Sequence, residues 1–414
     1  MVLDPALVEK ILRHIDEKEV VKLAQEMVRI PSPTFNGSHS ETDLALFLDD
    51  YLKAVGMKVQ MQDVSGTKQV IGRYGGSGGG PSLMFNGHLD HNPPATGWTK
   101  DPYAGVVEDG WLYGSGIVNM KGQDAAMIAA AVAVHKAGLE LKGDFMVSCV
   151  MGELLGGLGT EHMLQSGIVP DMAVVTEPTE FGLTTKHVGV FQARLHTYGK
   201  IRHFAGTQKG VHALEKMIKI ITALGPSMTP MERGGWLKFE ARPDFPGFPQ
   251  FNIGWINAGL GKEYLKRPTL MPDVCTASFD CRYPPGKMSA ATVRMDLEAV
   301  IERLKAGDPD LRVEIEAPPP GFKSHPAFEV SHDERIVKTV AKWHEYITKT
   351  KPAIGTGTIL GGATDASHLS AKGVKAVVYG PGGKYLNVPD ERIRVEDMVM
   401  AAKILALVAG DICS

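Results

Sequence analysis

The sequence predicts an α/β protein: a mostly parallel sheet with helices on both faces, carrying a smaller inserted α+β domain. Three observations predict it. Short apolar, β-branched runs alternate with helical segments, the pattern of parallel strands joined by crossover helices. The chain, at 414 residues, is too long for one ordinary core and suits two domains of unequal size. The pattern also changes near Val190 and changes back after Pro318-Pro319-Pro320-Gly321, so the larger domain is expected at 1–189 with 318–414 and the insertion at 190–317.

Each element follows from local signals. The first fifty residues show helical spacing, broken at Ile30-Pro31-Ser32-Pro33 and resumed from Glu41 to Val55, so two helices are expected before the sheet. Short strands are expected at 58–61 and 69–74, and the turn GGSGGGPS leads into an apolar run from Leu83 that ends at Asn86-Gly87 and delivers His88. From Trp111 the chain reads strand, glycine-rich turn and an alanine-rich helix from about Gly122 to Lys136. Two further buried strands, 144–150 and 172–176, end on Gly152-Glu153 and Glu177-Pro178. In the insertion, strands at 190–198, 251–257, 276–282 and 311–316 interleave with helices near 210–224 and 289–304, an order that suggests a ferredoxin-like α+β unit. A helix near 333–348, a strand at 376–379 and a last helix near 395–409 complete the larger domain.

Composition narrows the function classes. With 43% hydrophobic and 22% charged residues the chain is average for a globular protein. A formal net charge of -3 gives no electrostatic case for nucleic acid or an anionic membrane as partner. The opening MVLDPALVEKILRHIDEKEV lacks the basic and apolar regions of a signal peptide, and no run reaches the roughly eighteen apolar residues of a spanning helix, so a cytoplasmic setting is expected. Four cysteines without C-x-x-C spacing point to buried thiols rather than disulfides or a cysteine zinc site.

The chemistry gathers at LMFNGHLDHNP, residues 83–93. In His88-Leu89-Asp90 on an extended chain, residues i and i+2 share a face, so Asp90 can sit beside the imidazole of His88 and orient it. His88 with Asp90, Glu153 and Glu177 lie at three strand ends, and parallel strands would bring them to one mouth of the sheet, where open α/β sheets place ligands. That convergence favours a metal site over a turn that merely carries histidines.

The chain resembles the metallohydrolase family of aminoacylases, acetylornithine deacetylase, succinyl-diaminopimelate desuccinylase and related carboxypeptidases and dipeptidases. The resemblance runs in order through NGHLDHNP, YGSGIVNMKGQDAAM, GELLGGLGT, TEPTEFGL, GKIRHFAGTQKGVHALEKM, FDCRYPPG, GGATDASHLS and YGPGG. It implies a catalytic domain with a zinc-type site and an inserted lid or dimerisation domain, hence a homo-oligomer of at least two chains acting on a small-molecule substrate. Position by position, it makes His88 a metal ligand, Asp90 its orienting partner, Glu153 the general base, Glu177 a metal ligand and His203 the lid histidine that reaches a substrate carbonyl oxygen. Arg282, Asp365 beside Thr364, and His187 fall at substrate-side positions, with a salt bridge as the other reading of Arg282 and of the Thr364-Asp365 pair.

The sequence departs from the family at three ligands. The bridging aspartate is replaced by Asn119, the second glutamate by Leu154 and the last histidine by Asn387, and no histidine follows His368. A site for one divalent ion is therefore expected, zinc or manganese first and cobalt also suitable, with Asn119 as a weak third ligand and Asn387 left to face substrate. His91 and Asp124 lie close in sequence and could be recruited. Phe204, Trp236, Phe248 and Phe251 are lid aromatics that suit apolar contacts. The favoured activity is hydrolysis of a non-standard C–N bond, amide or aryl-amine, in a small carboxylate-bearing substrate, because divergent members of the family cleave such bonds. An ordinary N-acyl amino acid amidohydrolase or dipeptidase and a non-catalytic binding protein are the alternatives.

Overall fold

The computed structural model describes residues 3–34, 39–206, 209–225, 242–357 and 361–414; Trp236 lies outside them. The chain forms two compact units, Met1–His187 with Phe328–Ser414, and Val188–Ala327.

The first unit begins with α1 (Pro5–Leu12), α2 (Glu17–Val28) and α3 (Thr42–Ala54). Three helices thus replace the two expected, because Asp16 takes an extended conformation and its side chain accepts from Lys18 N, starting a new helix where spacing alone reads through. Next come β1 (Lys58–Val64), β2 (Thr67–Tyr74), β3 (Leu83–His88), β4 (Val106–Glu108), β5 (Trp111–Tyr113), α4 (Gly122–Lys136) and β6 (Phe145–Val150). They lead on to α5 (Leu158–Gln165), β7 (Met172–Val175), β8 (Leu183–Thr184) and β9 (Lys186–His187).

The second unit holds β10 (Gly189–Tyr198), α6 (Ala213–Leu224), β11 (Gln250–Gly259), β12 (Val274–Tyr283), α7 (Ala290–Ala306) and β13 (Arg312–Glu316). Its sheet order, β11-β12-β10-β13, is antiparallel throughout, and with the βαββαβ chain order this is a ferredoxin-like arrangement. It has its own core, in which Leu195, Phe251 and Phe279 of the sheet meet Met217 and Ile220 of α6 and Leu297 of α7.

The chain then returns to the first unit through β14 (Phe328–Glu329), α8 (Arg335–Thr348), β15 (Ile354–Gly355), α9 (Ala366–Ala371), β16 (Lys375–Val378), β17 (Arg392–Arg394) and α10 (Val395–Cys413). The main sheet has the order β1-β2-β6-β3-β7-β16-β8-β15, with parallel pairing from β6 through β16 and between β8 and β15, and antiparallel pairing of β1 with β2, β2 with β6 and β16 with β8. Both faces are covered. Gly72 and Tyr74 of β2 point to α3 and α4, where Tyr74 stacks on His135 at 4.4 Å, while Gln69, on the other face, donates to the backbone oxygen of Gly159 in α5. With helices on both sides, β3 and β6 are buried at every residue, which is why their sequences are continuous apolar runs rather than alternating ones.

All four cysteines are buried free thiols, and among the described residues no helix is long and apolar enough to cross a membrane.

Candidate metal centre

Register sets the site. His88 pairs with Val150 and Asn86 with Val175, so β3, β6 and β7 end together and release His88, Glu153 and Glu177 from one edge of the sheet. The end of β3 is tied down from below. Asn86 Nδ2 donates to Ser148 Oγ and Thr160 Oγ1, both at 3.0 Å, and the missing Cβ of Gly87 leaves room for Asp124, whose carboxylate oxygen would lie 1.9 Å from a Cβ there.

The His88 ring is 1% exposed. Its Nδ1 is 2.8 Å from the backbone oxygen of Asp90 and 3.4 Å from the Asp90 carboxylate, which places the Nδ1 proton there and turns Nε2 into the cavity. Nε2 lies 3.6 Å from Glu177 Oε1, 3.9 Å from Glu153 Oε2 and 3.2 Å from Asn119 Oδ1. Asp90 serves two strands: its carboxylate accepts from Glu153 N at 3.1 Å and Leu154 N at 2.9 Å, so it fixes the turn that carries Glu153 as well as the imidazole.

That turn also depends on glycine. Gly157 sits at φ +75°, and a Cβ there would lie 2.5 Å from His368 and 2.6 Å from Asp365. Leu154, where the family has a carboxylate, is half-buried and contributes only its backbone N–H.

The electrostatics follow from burial. Burial opposes the imidazolium of His88, but the Asp90 hydrogen bond and the carboxylates of Glu177 and Glu153 outweigh it and raise its pKa well above the usual value. Glu177 is pushed up to about 7, mainly by burial and against the pull of His88. Glu153 and Asp124 are raised well above the usual carboxylate range, again chiefly by burial. Five buried carboxylates, at Asp90, Asp124, Glu153, Glu177 and Asp365, therefore surround one imidazole.

Such a donor set fits one divalent cation. His88, Glu153 and Glu177 each offer a ligand atom within 4.8 Å of one another, the one group of three histidine, cysteine or carboxylate side chains so placed among the described residues. At the positions where the family has its other ligands, Asn119 is a neutral amide, Leu154 is apolar, and Asn387 is exposed in a turn at φ +54°. His91 is engaged elsewhere, its Nδ1 with the Asn92 oxygen at 2.7 Å and its Nε2 with Ser32 N at 3.3 Å, and burial lowers its pKa to about 3. Asp124 is buried beneath Gly87 with neither carboxylate oxygen hydrogen-bonded.

Asp365 and His187 lie in the same unit. Asp365 Oδ2 accepts from Thr160 Oγ1 at 2.9 Å, Oδ1 has no partner, and burial raises its pKa to about 6. His187 Nε2 is 3.1 Å from Thr364 Oγ1, which places His187 next to the Thr364-Asp365 segment.

The remaining candidates belong to the second unit. His203 is exposed, stacks on Phe204 with centroids 5.4 Å apart, and accepts from Ala205 N at Nδ1. Arg282 forms a two-point ion pair with Asp280, at 2.6 and 3.0 Å. Of the lid aromatics, Phe251 is buried, packed against Phe279 at 5.3 Å, while Phe204 is 65% exposed.

One residue that sequence reasoning missed is Glu391. It is buried, and its carboxylate accepts from Val118 N at 2.8 Å and Gly116 N at 3.3 Å, holding the Ile117–Lys121 loop that carries Asn119. The signal available was its place in LNVPDE, two residues after a proline in a motif segment.

Comparison with known proteins identifies relatives along most of the chain. The sequence matches peptidase family M20/M25/M40 over residues 84–411. It is 26% identical to an N-formyl-4-amino-5-aminomethyl-2-methylpyrimidine deformylase of Halalkalibacterium halodurans, covering 97% of this chain and 96% of that protein. It is likewise 26% identical to a succinyl-diaminopimelate desuccinylase of Wolinella succinogenes, over 94% of this chain and 99% of that one. Among solved structures, the fold is similar to an M20 family metallo-carboxypeptidase of Sulfolobus solfataricus, with a TM-score of 0.77, 18% identity and coverage of 95% and 99% of the two chains.

Proposed function

The chain belongs to peptidase family M20/M25/M40 and is a hydrolase of amide-type carbon–nitrogen bonds, and from that premise we propose that it works with a single divalent ion on a non-standard C–N bond of a small carboxylate-bearing substrate. The observation that carries the reading is the asymmetry of the centre: one set of donors converges within 4.8 Å, whereas the second set is an amide, an alkyl group and an exposed turn residue.

His88 Nε2 and the Glu177 carboxylate are the ligands, with Asn119 Oδ1 as a weak third donor. A divalent ion held there, zinc, manganese or cobalt, would polarise the scissile group and acidify water. Glu153 takes the proton from water and returns it to the leaving nitrogen, a role suited to a buried carboxyl whose proton affinity is already raised. Asp90 holds the Glu153 turn and the His88 ring in one geometry. His203, with Nδ1 occupied by Ala205 N–H, has its proton at Nε2 and donates it as a hydrogen bond to the substrate carbonyl oxygen. The assembly of this protein is at least a dimer, as the resemblance of the second unit to a dimerisation domain implies.

An ordinary acyl-amide substrate is the second reading, supported by the deformylase and desuccinylase names of the two relatives. Elemental analysis of protein purified without chelator tests the premise shared by both: about one ion per chain is expected. Glu153→Gln should lower turnover by about 10²–10⁴-fold with metal content unchanged. Two ions per chain would remove the single-ion centre, and loss of metal in Glu153→Gln would make Glu153 a ligand instead of the base.

A further inference from the structure

A cavity of about 350 Å³ opens in the first unit, lined by none of His88, Glu153 and Glu177. Its wall is built around the guanidinium of Arg392, which lies 3.7 Å from the ring centroid of Tyr385 and 5.5 Å from those of Trp111 and Tyr113. Trp111 meets Tyr385 edge to face at 5.4 Å, and Arg394 lies 4.6 Å over Trp111.

Stacking of this kind fixes the plane of a guanidinium and leaves its edge N–H groups to bind. At Arg392 one of them donates to the Asp390 backbone oxygen at 3.1 Å, and no carboxylate lies within ion-pair distance among the described residues. Lys384, on the same wall, also has no carboxylate partner among the described residues. The wall carries three cations against two carboxylates, those of Glu180 and Asp397, and Arg394 is already paired with Glu396 at 3.2 Å. What remains uncommitted is therefore a planar fork and an ammonium on an aromatic wall.

We propose that this cavity is a binding site for a small aromatic carboxylate, separate from the metal centre. The carboxylate lies on the Arg392 fork and Lys384, where charge-assisted hydrogen bonds are strongest, and the ring lies along the wall that Phe181, Tyr385 and the edge of Trp111 form. The cavity has room for one such molecule. The proposal does not rest on the single-ion reading, because none of the metal-centre residues lines this cavity.

Calorimetric titration of the purified full chain with benzoate tests it, with acetate as the non-aromatic control. Saturable benzoate binding is expected, with acetate at least tenfold weaker. Arg392→Lys, which keeps the charge and removes the planar fork, and Lys384→Ala, at an exposed turn, should each weaken benzoate about tenfold. His88→Ala should bind benzoate as the unaltered protein does. The proposal fails if no saturable binding is found, if acetate binds equally well, if the Arg392→Lys and Lys384→Ala affinities are unchanged, or if His88→Ala abolishes binding.

Discussion

At His88, a proton and a metal ion compete for one nitrogen. With Nδ1 committed to Asp90, Nε2 faces Glu177 and Glu153, and without a cation the carboxyls at this mouth hold their protons unusually tightly. For Glu177, whose pKa rises from its usual 4.5 to about 7, the sign is that of a charge disfavoured by folding. The metal-free protein loses stability from this group as pH rises from about 4.5 through 7, and a bound cation reverses that loss. The stabilisation gained on adding zinc, read from thermal unfolding, should accordingly be larger at pH 8 than at pH 6, growing by about 1.4 kcal/mol per pH unit for each proton displaced until Glu177 is deprotonated near pH 7. A gain that is equal at the two pH values would detach Glu177 from the metal. These residues were legible in the sequence because each closes a continuous apolar run, and such runs mark strands covered on both faces. Asn119, Leu154 and Asn387 were legible as departures for the same reason: the motifs around them stay recognisable. The environment of each carboxyl was not, since burial comes from helices remote in sequence.

Elements place these groups as much as the residues do. The loop Ile117–Lys121 carries Asn119 to within 3.2 Å of His88, yet its backbone N–H groups at Gly116 and Val118 are satisfied by Glu391, some 270 residues later, a link no local pattern reveals. Glu391→Ala should destabilise the protein by about 1–3 kcal/mol, because two buried N–H groups lose their acceptor. It should also weaken metal binding by loosening Asn119. Thermal unfolding and chelator competition measure the two effects, and an unchanged metal affinity would leave the loop with a structural role alone. Helices α5 and α9, of eight and six residues, were likewise absent from the sequence reading. They are too short for a periodic signal, and α5 starts from Gly157 at positive φ rather than from a Ser, Thr or Asp cap. The long α4 and α7 fall close to the helices expected at 122–136 and 289–304, α4 because its alanine content speaks locally.

Taken as a whole, the described residues form two cores and one candidate metal centre. Leu83, Phe85, Val147 and Val174 belong to the core of the first unit and Leu195, Phe279 and Leu297 to that of the second, while His88, Glu153 and Glu177 all fall in the first. A ligand stabilises the folded unit that binds it, by RT ln(1 + [L]/Kd), or about 2.7 kcal/mol at a hundredfold excess over Kd. Scanning calorimetry with and without zinc should therefore show a metal-dependent transition for Met1–His187 with Phe328–Ser414, and a transition for Val188–Ala327 that stays in place. The His88→Ala variant should remove the metal-dependent shift and leave the second transition where it was. If the Val188–Ala327 transition moves with zinc in the unaltered protein and stands still in His88→Ala, the two units unfold together or the second supplies a ligand. A second transition indifferent to zinc would mean that the centre is complete within the sheet mouth, as the three strand ends require.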